Sequence, residues 1–139
     1  MKNPFDNNEM SSYNINTFGK SVRERRKQLG LSCRELARRI DISPVYLSYI
    51  ENGKRPAPYG LNSGKDYMSI LAEELGLTES QKAVFNSMAK ISHLDSTDFI
   101  EKYFCDNPSS FKFILKAIEE DLTNEDWDKL YKLIANEKY

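Results

Sequence analysis

Apolar residues recur at intervals of three and four along most of this chain, with polar residues between them, which is the period of an amphipathic helix. The clearest stretch runs from Leu29 to Gly53 and predicts two short helices. Ser32 precedes an apolar-periodic run and Glu35 follows three residues later, the spacing of a capping box in which each side chain satisfies an orphan N–H. Leu36, Ala37 and Ile40 then share one face. Ser43 is a second N-cap, and Pro44 suits the first helical position, where a missing N–H costs nothing. Leu47 and Ile50 turn inward, and Asn52-Gly53 supplies a left-handed stop. Only Asp41-Ile42-Ser43 joins the two helices, so they are expected to cross steeply.

Upstream, Thr17 to Leu29 predicts a helix with Thr17 as N-cap, Phe18, Val22 and Leu29 as its buried face, and Gly30 as its end. Downstream, the prolines at 56 and 58 stop any helix, and a long loop runs through Gly64. A fourth helix is expected from Ser63 or Lys65 to Leu75, with Tyr67, Met68, Leu71 and Leu75 as its stripe. Thr78, with Gln81 at capping-box spacing, starts a fifth whose core face is Val84, Phe85 and Met88. Past residue 91 come three short amphipathic helices. Asp95 caps the first, Asn107-Pro108 opens the second and Thr123 caps the third. They carry Phe99, Tyr103, Phe104, Phe111, Trp127 and Tyr131, which are expected to form a C-terminal core or a dimer interface. Residues 1–16 are polar and Asn-rich, without helical period, and read as a flexible arm. The expected fold is all-α: an arm (1–16), a five-helix domain (17–91) and a helical C-terminal region (92–139).

Net charge is −1, but it is unevenly spread. Residues 18–58 hold ten Lys/Arg against four acids, residues 59–139 nine Lys against fifteen acids, and residues 1–17 one Lys against two. The split of +6, −6 and −1 places the basic part where a polyanion would bind and the acidic part away from it. No apolar run approaches a membrane span, and the N-terminus is polar, so the cytoplasm is expected. Cys33 and Cys105 are far apart and read as free thiols. His93 is the lone histidine, and no Gly-rich phosphate loop or nucleophile elbow appears, so neither catalysis, a metal nor a cofactor is expected.

Residues 18–56 resemble the DNA-binding domain of the phage-repressor-like (Cro/cI, or XRE) helix-turn-helix family. The resemblance rests on Val22, Arg26 and Leu29-Gly30-Leu31, on Arg34-Glu35-Leu36-Ala37, on Ile42-Ser43 and Tyr46-Leu47-Ser48, and on Ile50-Glu51-Asn52-Gly53-Lys54-Arg55-Pro56. With the helices that follow, to about Met88, it covers about half the chain. Asp41 stands where the family often has Gly, and Pro44-Val45 where many relatives carry polar base-reading side chains. The resemblance implies that Arg26 pairs with Glu51 and so ties the first helix to the third. It also implies a transcriptional regulator, expected to be a repressor that binds a palindromic operator in double-stranded DNA as a homodimer.

A major groove admits one helix, whose outward side chains reach base edges. With Leu47 and Ile50 turned inward, Pro44, Val45, Ser48 and Tyr49 face out and Tyr46 lies at the edge. None offers a bidentate Arg–guanine or Gln–adenine pairing, so shape readout is expected to matter. Phosphate contacts are expected from the first-turn N–H groups at Cys33 and Arg34, from Asn52, Lys54 and Arg55, and from Arg38. Two rival readings remain at this point. One is an antitoxin-like or phage-encoded regulator whose C-terminal helices grip a partner protein; sensing of a small effector is a separate candidate role for those helices. The other is a helix-turn-helix adaptor that turns Val45, Tyr46 and Tyr49 toward protein.

Overall fold

The computed structural model describes residues 2–59, 65–95 and 97–138. Eight α-helices and no strand lie among these residues: α1 Thr17–Gln28, α2 Cys33–Ile40, α3 Pro44–Glu51, α4 Tyr67–Glu74, α5 Glu79–Ser92, α6 Thr97–Asp106, α7 Ser109–Glu119 and α8 Asn124–Lys138. They divide into two compact units, residues 1–95 and 96–139.

The first unit closes around Phe18, Val22, Leu36, Ile40, Leu47, Ile50, Leu71, Leu75, Phe85 and Met88, all essentially inaccessible to solvent. These are the inward positions that the helical period selects. Leu29 is the exception: it is 39% exposed, because α1 stops at Gln28 and Leu29 already belongs to the C-cap ahead of the left-handed Gly30.

Helix ends follow from local hydrogen bonding. Thr78 and Gln81 complete the expected capping box at α5. At α2 only half of one forms: Ser32 Oγ accepts from Glu35 N at 3.0 Å, but the Glu35 carboxylate turns to Arg38 and Arg39. Two guanidinium groups one turn further on outcompete a single backbone amide. The N-cap of α1 is Asn16, and Thr17 is the first helical residue, its hydroxyl accepting from Asn14 N at 2.8 Å. Helix α4 starts at Tyr67, later than its expected start. Asp66 caps it by accepting from Ser69 N, and the segment from Gly60 to Gly64, with the alternative start at Ser63, lies outside the described residues.

The N-terminal segment departs most from expectation. In place of a free arm, it makes two short 3-10 turns, Pro4–Asp6 and Met10–Ser12, and buries Phe5 completely. The Phe5 ring meets Phe85 edge-on at 5.5 Å, and Phe85 in turn meets Phe18 at 5.2 Å. Gln81 Nε2 donates to Asp6 Oδ1 and Gln28 Nε2 to the Lys2 carbonyl, which tethers the segment on either side of Phe5. One buried aromatic ring outweighs the polar composition around it.

The boundary between units also lies beyond residue 91. Ser92 Oγ accepts from Ala57 N at 3.0 Å and His93 Nε2 lies 2.8 Å from the Ala57 carbonyl, so the end of α5 and the turn after it belong to the first unit.

In the second unit, Thr123 Oγ1 accepts from Asp126 N while Asp126 returns to Thr123 N, so Thr123 caps α8 as expected. The position after Asp95 lies outside the described residues, as does the Phe99 side chain. Helix α7 begins at Ser109 without a side-chain cap. Phe104 stacks against Tyr103 (6.1 Å) and Phe111 (5.0 Å), and Phe113 against Trp127 (5.9 Å). These rings do not make an enclosed core. Ala117 is the one buried side chain among the described residues of this unit, while Tyr103, Phe111 and Tyr131 remain exposed and Trp127 and Phe104 only partly covered.

Candidate nucleic-acid interface

Helices α2 and α3 and their link form the centre of the site. Asp41 takes the left-handed conformation (φ 62°, ψ 45°) that the absent glycine would have supplied. Asp tolerates this region better than most residues. Ile42 N–H reaches back to the Ala37 carbonyl at 3.0 Å, closing the end of α2. The Asp41 carboxylate pairs with Lys65, which holds its carboxyl below the usual carboxylate range. Ser43 Oγ then accepts from Tyr46 N at 3.0 Å and starts α3 with Pro44 in the first turn.

Burial along α3 divides its faces as expected except at Ser48, which is partly covered. Leu47 and Ile50 are inside; Pro44, Val45 (60% exposed) and Tyr49 (40%) point to solvent. Tyr46 is half-buried against the core, and that burial pushes its phenol above the usual range, so it remains a neutral hydroxyl. Ser48 is half-buried too, and its Oγ accepts from Asn52 Nδ2 at 3.2 Å, which carries the polar edge of α3 one turn further. Lys54 Nζ sits 5.7 Å above the Tyr49 ring, and the Lys54 and Arg55 amides both donate to the Tyr49 carbonyl. The basic loop is thereby tied to the exposed face of α3.

At the other end of the motif, the Cys33 and Arg34 amides lie in the first turn of α2, where no preceding carbonyl is available to them. The Cys33 thiol is partly buried, with Sγ 3.7 Å from the Pro44 carbonyl oxygen, and burial pushes its pKa up. A raised pKa disfavours the thiolate form through which a redox switch reacts. Arg34, Lys54 and Arg55 are exposed and make no ion pair among the described residues. Arg38 differs. It is exposed but bonded to Glu35 at 2.6 Å, while Arg39 shares the same carboxylate and approaches Glu74 at 3.5 Å. That shared carboxylate is held below its usual range, first by Arg38 and then by Arg39. Part of the positive charge on this face is thus neutralised within the protein.

Behind the site, Arg26 Nε and Nη2 donate to the two Glu51 oxygens at 2.8 and 2.9 Å, and Nη1 donates to the Leu31 carbonyl at 2.9 Å. This fork joins α1, the turn before α2, and the last residue of α3. Gly19, which the helical pattern does not single out, makes the same junction possible: a Cβ there would lie 2.1 Å from the Ile50 carbonyl oxygen. A glycine inside a helical pattern with no turn to make is the signal for such close approach. Asn16 is another residue that sequence reasoning passed over. Its side chain lies against Gly53 (φ 75°), where a Cβ would meet Asn16 Oδ1 at 2.1 Å.

The helix-turn-helix family model matches residues 22–59, from the middle of α1 through α3 and its basic loop. No curated protein and no solved structure matches the chain. No helix among the described residues is long and apolar enough to cross a membrane.

Proposed function

We propose, from the DNA-binding helix-turn-helix domain at residues 22–59, that this chain regulates transcription by binding an operator in double-stranded DNA as a homodimer and occluding a promoter. The observation that carries this reading is the exposed face of α3, flanked by cationic side chains that make no ion pair among the described residues. Pro44, Val45, Ser48 and Tyr49 lie on or beside that face, with Arg34 before it and Lys54 and Arg55 after it. Val45 and Tyr49 can touch thymine methyl groups, and Ser48 can donate or accept at a base edge. Without a bidentate base contact, specificity would draw on DNA shape. The phosphate contacts would come from the first turn of α2 and from Asn52, Lys54 and Arg55, and the site of action would be the cytoplasm.

The homodimer is supported by the second unit. Its helices expose Tyr103, Phe111, Leu115, Ile118, Tyr131 and Ile134, with Ile118 at 70%. Large apolar side chains exposed on successive helices favour burial against another surface. A palindromic operator is matched by a two-fold dimer with half-sites about one DNA turn apart. The test compares the full chain with one ended after Asp95, which keeps the Ser92 and His93 contacts with Ala57. Sedimentation at micromolar concentration should give a dimer for the full chain and a monomer for the shorter one. The shorter chain should bind a full operator far more weakly and a half-site almost as before. A shorter chain that is still dimeric would remove the dimer role from α6–α8 and leave a partner protein as their occupant.

A further inference from the structure

Helix α1 carries a basic face with a geometry of its own. Lys20, Arg23 and Lys27, spaced three and four apart, share one side of the helix, and all are exposed. They form one wall of a groove of about 470 Å³, with Asn16 at its end and Asn52 on the far side. None of the three makes an ion pair among the described residues. Their neighbour Arg25 is used internally, donating to the Leu75 carbonyl at 2.9 Å. The two carboxylates of the groove are Glu51, already committed to Arg26, and Glu24. Asn52 connects this groove to the exposed edge of α3 through its bond to Ser48. From Lys20 to Lys27 the helix rises about 10 Å, the axial rise of about three nucleotides of one strand.

We infer that this groove is a second track for DNA phosphates, in which the α1 wall follows a strand that leaves the α3 face past Asn52. The inference rests on the DNA-binding reading and adds to it three cations that lie outside the α2–α3 motif and its basic loop. Glu24 then sits as an opposing charge on the track and weakens binding.

The test is fluorescence anisotropy with a 20-base-pair duplex of arbitrary sequence at several salt concentrations, because electrostatic binding needs no operator. The full-length Lys20→Ala/Arg23→Ala/Lys27→Ala variant should lower the slope of log K against log salt by about 2 to 3, since each lost phosphate contact removes about 0.9. Glu24→Gln should tighten binding several-fold at low salt, a gain that misfolding does not produce. A triple-arginine variant, Lys20→Arg/Lys27→Arg with Arg23 kept, should retain the wild-type slope. If the wild type binds and the triple alanine variant keeps its slope, the second track is wrong while the α3 reading stands. If the wild type shows no salt-dependent binding at all, both fall.

Discussion

Truncating Glu51 to alanine should cost this fold far more than removing any exposed charge. Arg26 and Glu51 are joined by two hydrogen bonds, of 2.8 and 2.9 Å, with side chains only 10% and 4% exposed. The hydrogen bond to Glu51 raises the Arg26 pKa further while burial opposes it, so the guanidinium cannot escape by losing its proton. Glu51→Ala leaves it buried with the Leu31 carbonyl as its remaining protein partner. Breaking such a pair from one side costs about 3–5 kcal/mol. A unit of 95 residues has a total stability of about 5–14 kcal/mol. At about 4–8 °C per kcal/mol, even the lower cost corresponds to a fall in melting temperature of about 12–24 °C. Far-UV circular dichroism of the full chain would measure it, and fluorescence of the single tryptophan, Trp127, would follow the second unit separately. DNA binding should be lost with the fold. Replacing both partners, as Arg26→Met/Glu51→Leu, should recover much of the loss, because a matched apolar pair removes the stranded charge. A Glu51→Ala melting temperature within about 3 °C of wild type, or losses in the double variant that simply add, would refute the reasoning.

Two further outcomes are expected. Gly19→Ala places a methyl group 2.1 Å from the Ile50 carbonyl oxygen, so α1 must shift away from α3; thermal melting should show a loss of about 1–3 kcal/mol, typical of overpacking. The Cys33 thiol, its pKa raised chiefly by burial, holds less thiolate at any given pH than an ordinary cysteine. Its alkylation by iodoacetamide, followed by mass spectrometry, should therefore be slower than that of exposed Cys105 at pH 7.5, and its rate should still be rising with pH above the usual thiol pKa of about 8.5. Equal rates at the two cysteines would contradict it.

Helical period, caps and the short link were sufficient to place α1, α2, α3 and α5, because each is set by contacts within a few residues. Ser43 caps α3 by bonding three residues ahead, and Asp41 turns left-handed on its own backbone preference. The outward face of α3 was legible for the same reason: once Leu47 and Ile50 are turned inward, the remaining positions follow from the helix geometry. The Arg26–Glu51 pair was legible only through resemblance to a family, since 25 residues separate the partners and no local rule connects them. Tertiary structure decided what local rules could not weigh. Phe5 sits in a polar, aperiodic stretch, and only the cavity beside Phe85 makes its burial favourable. Glu35 had two candidate partners within one turn, and the converging arginines took it from the Ser32 amide. The C-terminal helices obey the period throughout, yet most of the apolar side chains described on them stay uncovered. Periodicity tells which side of a helix seeks burial, and only the arrangement of chains in space supplies the surface that buries it.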